Sequence, residues 1–180
     1  HSPQAESYSY DAVGNRLTGP GLKDSYLYNP GNQLTEDQRF TYEYDPNGNL
    51  VKKIDFSEGK TFIYSYDYEN RLIKVEVRRG DKELKTVTFA YDPFGRRISK
   101  CVAWEEIEDD DQEGDEDRLD AHGKTRTTVY VYDHENIILE YNEKGRVKAR
   151  YTHGLGIDEP LVVEKGRQVY YYQADGVGSI

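Results

Sequence analysis

The chain has 180 residues, 36% of them hydrophobic and 13% aromatic with 17 Tyr, and a net charge of −10. That length allows one domain of ordinary size with a core. The acidic balance excludes a nucleic-acid partner, which needs clustered cations, and nothing approaches the roughly 18 apolar residues of a membrane span. With Cys101 alone, a disulfide framework and a thiolate metal site are excluded as well.

The chain opens His1-Ser2-Pro3 and contains no Met, which reads as an engineered piece, a processed product or an excised segment whose localisation signal lies elsewhere. From there one template recurs: aromatic-x-Tyr-Asp, a few loose residues with Gly or Asn, a polar residue, then an aliphatic one. The first copy is Tyr8-Ser9-Tyr10-Asp11 with Gly14-Asn15-Arg16-Leu17, and the second Tyr26-Leu27-Tyr28-Asn29 with Gly31-Asn32-Gln33-Leu34. Tyr42-Glu43-Tyr44-Asp45 follows with Gly48-Asn49-Leu50, then Tyr64-Ser65-Tyr66-Asp67 with Asn70-Arg71-Leu72. Phe89-Ala90-Tyr91-Asp92 precedes Gly95-Arg96-Arg97-Ile98, and Tyr130-Val131-Tyr132-Asp133 precedes Asn136-Ile137-Ile138.

Each copy predicts strand, turn, strand. Side chains alternate along a strand, so aromatic-x-aromatic places both rings on one face. The Asp accepts a backbone N–H two residues on and closes a turn. Gly or Asn then supplies a positive φ, expected at Gly14, Gly48 and Gly95.

Between the copies, alternation predicts further hairpins. Ile54 and Phe56 are joined to Phe62, Tyr64 and Tyr66 across 57–60, and Ile73, Val75 and Val77 to Val87, Phe89 and Tyr91 across 79–82. Leu139 and Tyr141 return as Val147, Ala149 and Tyr151 across 142–145, and Leu161 and Val163 as Val169 and Tyr171 across 164–167. The tripeptide Arg79-Gly80-Asp81 needs no adhesive role, since Gly at a hairpin tip explains it. The fold class is all-β, successive antiparallel hairpins, divided as hairpins over 1–102, an acidic insertion loop over 103–128, and the last repeat with its C-terminal continuation over 129–180.

The insertion carries the loudest local feature, an acidic run from Glu105 to Asp120. Such blocks are solvated as a rule. Asp109, Asp111, Glu113, Asp115, Asp117 and Asp120 nevertheless fall on the liganding positions of a calcium loop, with Gly114 at its turn. Asp in place of the final Glu, and no flanking helices, favour a solvated hairpin-tip loop. The four His, at 1, 122, 134 and 153, show no ligand spacing and are read as turn or surface residues, and Asp158 and Glu159 are adjacent and so point to opposite faces. No cofactor, metal or catalytic residue is expected.

The segment 8–17 and its five further copies resemble the YD-repeat signature of RHS proteins and teneurins. Residues 150–161, Arg-Tyr-Thr-His-Gly-Leu-Gly-Ile-Asp-Glu-Pro-Leu, resemble the opening of the RHS repeat-associated core, and 170–179 the stretch after it, with Gln173 and Ala174 where that family has His and Thr. The resemblance implies a spiralling sheet, part of an RHS-type shell around a C-terminal cargo, in a bacterial secreted or cell-surface protein of the polymorphic-toxin kind. The cargo and its autoproteolytic end would lie beyond Ile180. The implied role is structural, with the rest of the parent chain, or self-association through edge strands, as partner. The alternative is a surface module binding carbohydrate or protein through its Tyr rows.

Overall fold

The computed structural model describes residues 7–19, 26–104, 124–154 and 159–172, and every regular element among them is a strand. No helix there is long and apolar enough to cross a membrane. The chain divides into two compact units, His1–Leu84 and Lys85–Ile180.

In the first unit, β1 (Ser9–Tyr10) and β2 (Arg16–Thr18) form an antiparallel pair. The strands β3 (Leu27–Tyr28), β4 (Leu34–Glu36), β5 (Phe40–Tyr44), β6 (Leu50–Asp55), β7 (Lys60–Tyr66) and β8 (Leu72–Arg79) then pair antiparallel in chain order. The second unit repeats the scheme. There β9 (Lys82–Tyr91), which starts just before the boundary, β10 (Arg97–Trp104), β11 (Lys124–Asp133), β12 (Asn136–Asn142), β13 (Val147–His153), β14 (Pro160–Lys165) and β15 (Gln168–Tyr171) are again neighbours in sequence order. Most of the described connections are turns that reverse the chain within a few residues.

Because strand order follows the chain, no described strand is left over in either unit to form an opposing layer. The described residues therefore hold only three buried hydrophobic side chains, Val87, Ala149 and Val163, plus the polar Asp55 and Thr128. By register, all five lie on the face that carries the motif aromatics. That face gains its burial from rings crowding side by side along the sheet.

The structure revises several local readings. Phe56 leaves the strand for the turn and is exposed, while its neighbour Asp55 points inward and is only 2% exposed. The sixth repeat does not share the turn of the others. Asp133 pairs directly with Asn136 across a two-residue turn, with His134 at φ 51°. Conversely, Asn142 closes a turn of the repeat type, which makes 139–147 a further copy. Residues 103, 104 and 124–128, assigned to the insertion loop in the sequence, are strand residues, with Trp104 facing Lys124.

Candidate functional site

The recurring chemistry is the turn, and it is built the same way six times. In the first repeat the Asp11 N–H donates to the Asn15 carbonyl and the Gly14 N–H to the Asp11 carbonyl. Asp11 Oδ1 accepts from the N–H groups of Val13 and Asn15 at 3.0 and 2.8 Å. The same four bonds recur at Asn29, Asp45, Asp67, Asp92 and Asn142. The residue three after each adopts positive φ: Gly14 at 91°, Asn32 at 59°, Gly48 at 88°, Asn70 at 59°, Gly95 at 82° and Gly145 at 72°. This is a type I turn followed by a left-handed bulge residue, a combination whose twist suits a hairpin.

Within the units, two further bonds tie one repeat to the next in four cases. The second Tyr of a repeat donates its hydroxyl to the carbonyl five residues past the Asp or Asn of the repeat before it. Tyr28 reaches Arg16 at 2.9 Å, Tyr44 reaches Leu34 at 2.9 Å, Tyr66 reaches Leu50 at 3.0 Å, and Tyr132 reaches Arg97 at 2.9 Å. The residue four past the Asp or Asn reaches from its own turn to the left-handed residue of the next. Asn15 donates to Asn32 Oδ1, Gln33 to the Gly48 carbonyl, Asn49 to Asn70 Oδ1, and Arg96 to the His134 carbonyl. Arginines at or beside this position also stack on rings of the next repeat: Arg16 on Tyr26, Arg96 on Tyr132 and Arg97 on Tyr130.

Near the end of the described chain His153 takes the place of a Tyr. It lies in β13 with its Nε2 2.7 Å from the Ile137 carbonyl, so the proton is on Nε2. It is a stitching residue, which corrects its reading as a turn or surface histidine. His134 does sit exposed in a turn.

The first unit holds one cluster that its sequence does not announce. Arg39 Nη2 meets Asp55 Oδ2 at 2.6 Å and Glu58 Oε1 at 2.7 Å. Asp55 Oδ1 also accepts from Ser57 and from the Glu58 N–H, and the Arg39 guanidinium above all holds this carboxyl well below the usual range. Beside it the Lys53 ammonium lies 3.6 Å from the Phe40 ring centroid, and Tyr42 donates to Asp37 at 2.8 Å. Every acceptor here is taken, so the arrangement locks three strands together and leaves no reactive group poised. Among the described residues no cluster of His, Cys, Asp or Glu could hold a metal, and Cys101 is a half-buried strand residue. The calcium candidates Asp109, Asp111, Glu113, Asp115, Asp117 and Asp120 lie outside the described residues.

The turn carboxylates make stability depend on pH. The Asn49 amide and the backbone N–H groups of Asn47 and Asn49 pull Asp45 below its ordinary 3.8, and Asp11, Asp67 and Asp92 are lowered by the same kind of bonds in spite of burial that acts the other way. A folded-state pKa below the unfolded one adds stability above the unfolded value, and that stability is lost as pH falls through the folded value. Thermal melts followed by circular dichroism should therefore be flat from about pH 7 to about pH 5 and fall steeply below about pH 4. Asp45→Asn should keep the turn, as Asn29 and Asn142 do, while removing part of the acid dependence.

The model of the Teneurin YD-shell family matches residues 1–107, more than half of the sequence. The chain belongs to the Teneurin YD-shell family. Its RHS-type character is equally plain in its bacterial relatives. It is 31% identical over 176 residues to the tRNA3(Ser)-specific nuclease WapA of Bacillus spizizenii, covering 94% of this chain and 6% of that protein. It is 42% identical over 97 residues to double-stranded DNA deaminase toxin A of Burkholderia cenocepacia, covering 53% of this chain and 6% of that one. A structure of the Photorhabdus luminescens Tc holotoxin pore aligns with TM-score 0.48 and 15% identity, over 95% of this chain and 13% of that chain. The chain thus spans about 6% of the length of these two bacterial relatives. As a YD-shell sequence it is a structural shell segment.

Proposed function

We propose that this chain is a stretch of wall in the encapsulating shell of a bacterial, secreted or surface-delivered protein of the polymorphic-toxin kind. The observation that carries the reading is the stitch: the hydroxyls of Tyr28, Tyr44, Tyr66 and Tyr132 are each satisfied by the repeat before, so the structure extends by adding repeats. Its partner is the rest of the parent chain. The repeats contribute architecture and no catalysis; the nuclease and deaminase activities in the relatives' names are those of the whole proteins. A glycan-binding role finds less support, because the stitched Tyr hydroxyls are already spent on carbonyls. The acidic run from Glu105 to Asp120 is an insertion between two wall strands.

Pairing edges test this. Among the described strands, β1, β2, β3 and β15 each have only one neighbour, and such edges template pairing with another chain. A charge of −10 opposes association, but only over about 8 Å at physiological salt. Light scattering across protein concentration at low and high salt should show self-association that strengthens with salt. A monomeric mass at every concentration and both salt levels would mark a closed domain and overturn the wall reading.

A further inference from the structure

The second unit carries a depression of about 520 Å³ on its aromatic face whose chemistry the wall does not use. Its cations are Lys85, Lys100, Arg126 and Lys148, and its aromatic floor is Trp104 and Tyr130. Register explains the gathering. Lys85 faces Trp104, Arg126 faces Val102, and Lys100 faces Thr128, so alternate residues of β9, β10 and β11 deliver their side chains to one patch. Arg126 lies 6.0 Å over the Trp104 ring, and Lys148 donates to Thr128 at 2.8 Å. None of the four cations is in a salt bridge among the described residues. The one acid in the lining, Glu140, already accepts the Tyr151 hydroxyl at 2.8 Å.

This concentration of positive charge is not a property of the chain at large. Eleven of its 34 acidic residues and one of its 24 basic ones lie between 105 and 120, so the remainder carries no net charge. Against that neutral background four cations around an aromatic floor form a local site. We propose that it binds an extended acidic polypeptide segment supplied by another chain, with carboxylates on the cations and aliphatic or aromatic side chains on Trp104 and Tyr130. The mixture favours a peptide over a polyphosphate. Carboxylates and apolar groups alternate along an acidic peptide, whereas a nucleic acid demands a continuous basic track.

The test uses the intact chain, in which Trp104 is the sole tryptophan and so reports on its own surroundings. Titration with a synthetic peptide of alternating Glu and Leu should shift Trp104 emission saturably. The apparent affinity should fall at least about tenfold between about 0.1 and about 1 M salt, as the screening length shrinks from about 10 to about 3 Å. Arg126→Glu should weaken binding by a further tenfold or so. If that variant fails to fold, Lys85→Gln and Lys100→Gln, each removing one charge, should each weaken it about threefold with the far-ultraviolet spectrum unchanged. No saturable shift, an undiminished shift in the charge variants, or an equal response to a single-stranded oligonucleotide or an oligouronate would overturn the proposal.

Discussion

Replacing Tyr66 by Ala should lower stability by about 2 kcal/mol, and replacing it by Phe by about 1 kcal/mol. The ring is half-buried on the aromatic face of β7, so truncation forfeits roughly half of what a fully buried aromatic would. The hydroxyl donates to Leu50 at 3.0 Å, and removing it alone leaves that carbonyl without this donor, at the net worth of one hydrogen bond. For a chain of this size each kcal/mol shifts the melting temperature by about 2–4 °C. Tyr68 supplies the control. It stands two residues away in the turn and is 90% exposed, so Tyr68→Ala should stay within about 0.5 kcal/mol of the parent. Equal effects at 66 and 68, read by thermal or denaturant melts, would contradict the stitch.

The second large effect is expected at Gly48. Its φ of 88° is a left-handed conformation that a β-branched residue adopts only at a cost of about 2 kcal/mol or more. Space is not the obstacle, because a Cβ there would meet nothing closer than Gln33 Nε2 at 3.5 Å. Gly48→Val should therefore destabilise through the backbone alone. Gly48→Asn separates this cause from others, since Asn32 and Asn70 hold the same turn position at φ 59°. It should cost no more than a few tenths of a kcal/mol. Were Val and Asn to destabilise equally, steric crowding and not φ would be the reason.

Much of this architecture is local and was legible in the sequence. Asp at one position, a left-handed residue three later and the return strand after it close a turn within five residues, so the pattern itself names the hairpin, and period-2 alternation names its faces. The positive φ at Gly14, Gly48 and Gly95 follows from that chemistry alone. The same template contained the polar residue four past the Asp, and its recurrence as Asn15, Gln33, Asn49, Arg71 and Arg96 was a usable signal for a cross-repeat contact. What it contacts could not be read, because the acceptor belongs to another hairpin.

The tertiary structure decided everything that depends on which repeat lies beside which. A Tyr hydroxyl finds its carbonyl 10 to 35 positions back in the chain, and only the register between neighbouring hairpins brings the two together. His153 shares that position although histidine broke the sequence pattern, because an imidazole N–H serves the same carbonyl. Asn142 closes a turn of the repeat type because its Oδ1 offers the acceptor that Asp would. Alternation favoured burying Phe56 and exposing Asp55. The structure reverses them, since a carboxylate that meets Arg39, Ser57 and Glu58 at once is satisfied in place, and Arg39 arrives only when β5 and β6 are side by side. Local bonding thus fixed each hairpin, and contacts between hairpins, which no single repeat encodes, fixed how they join into a wall.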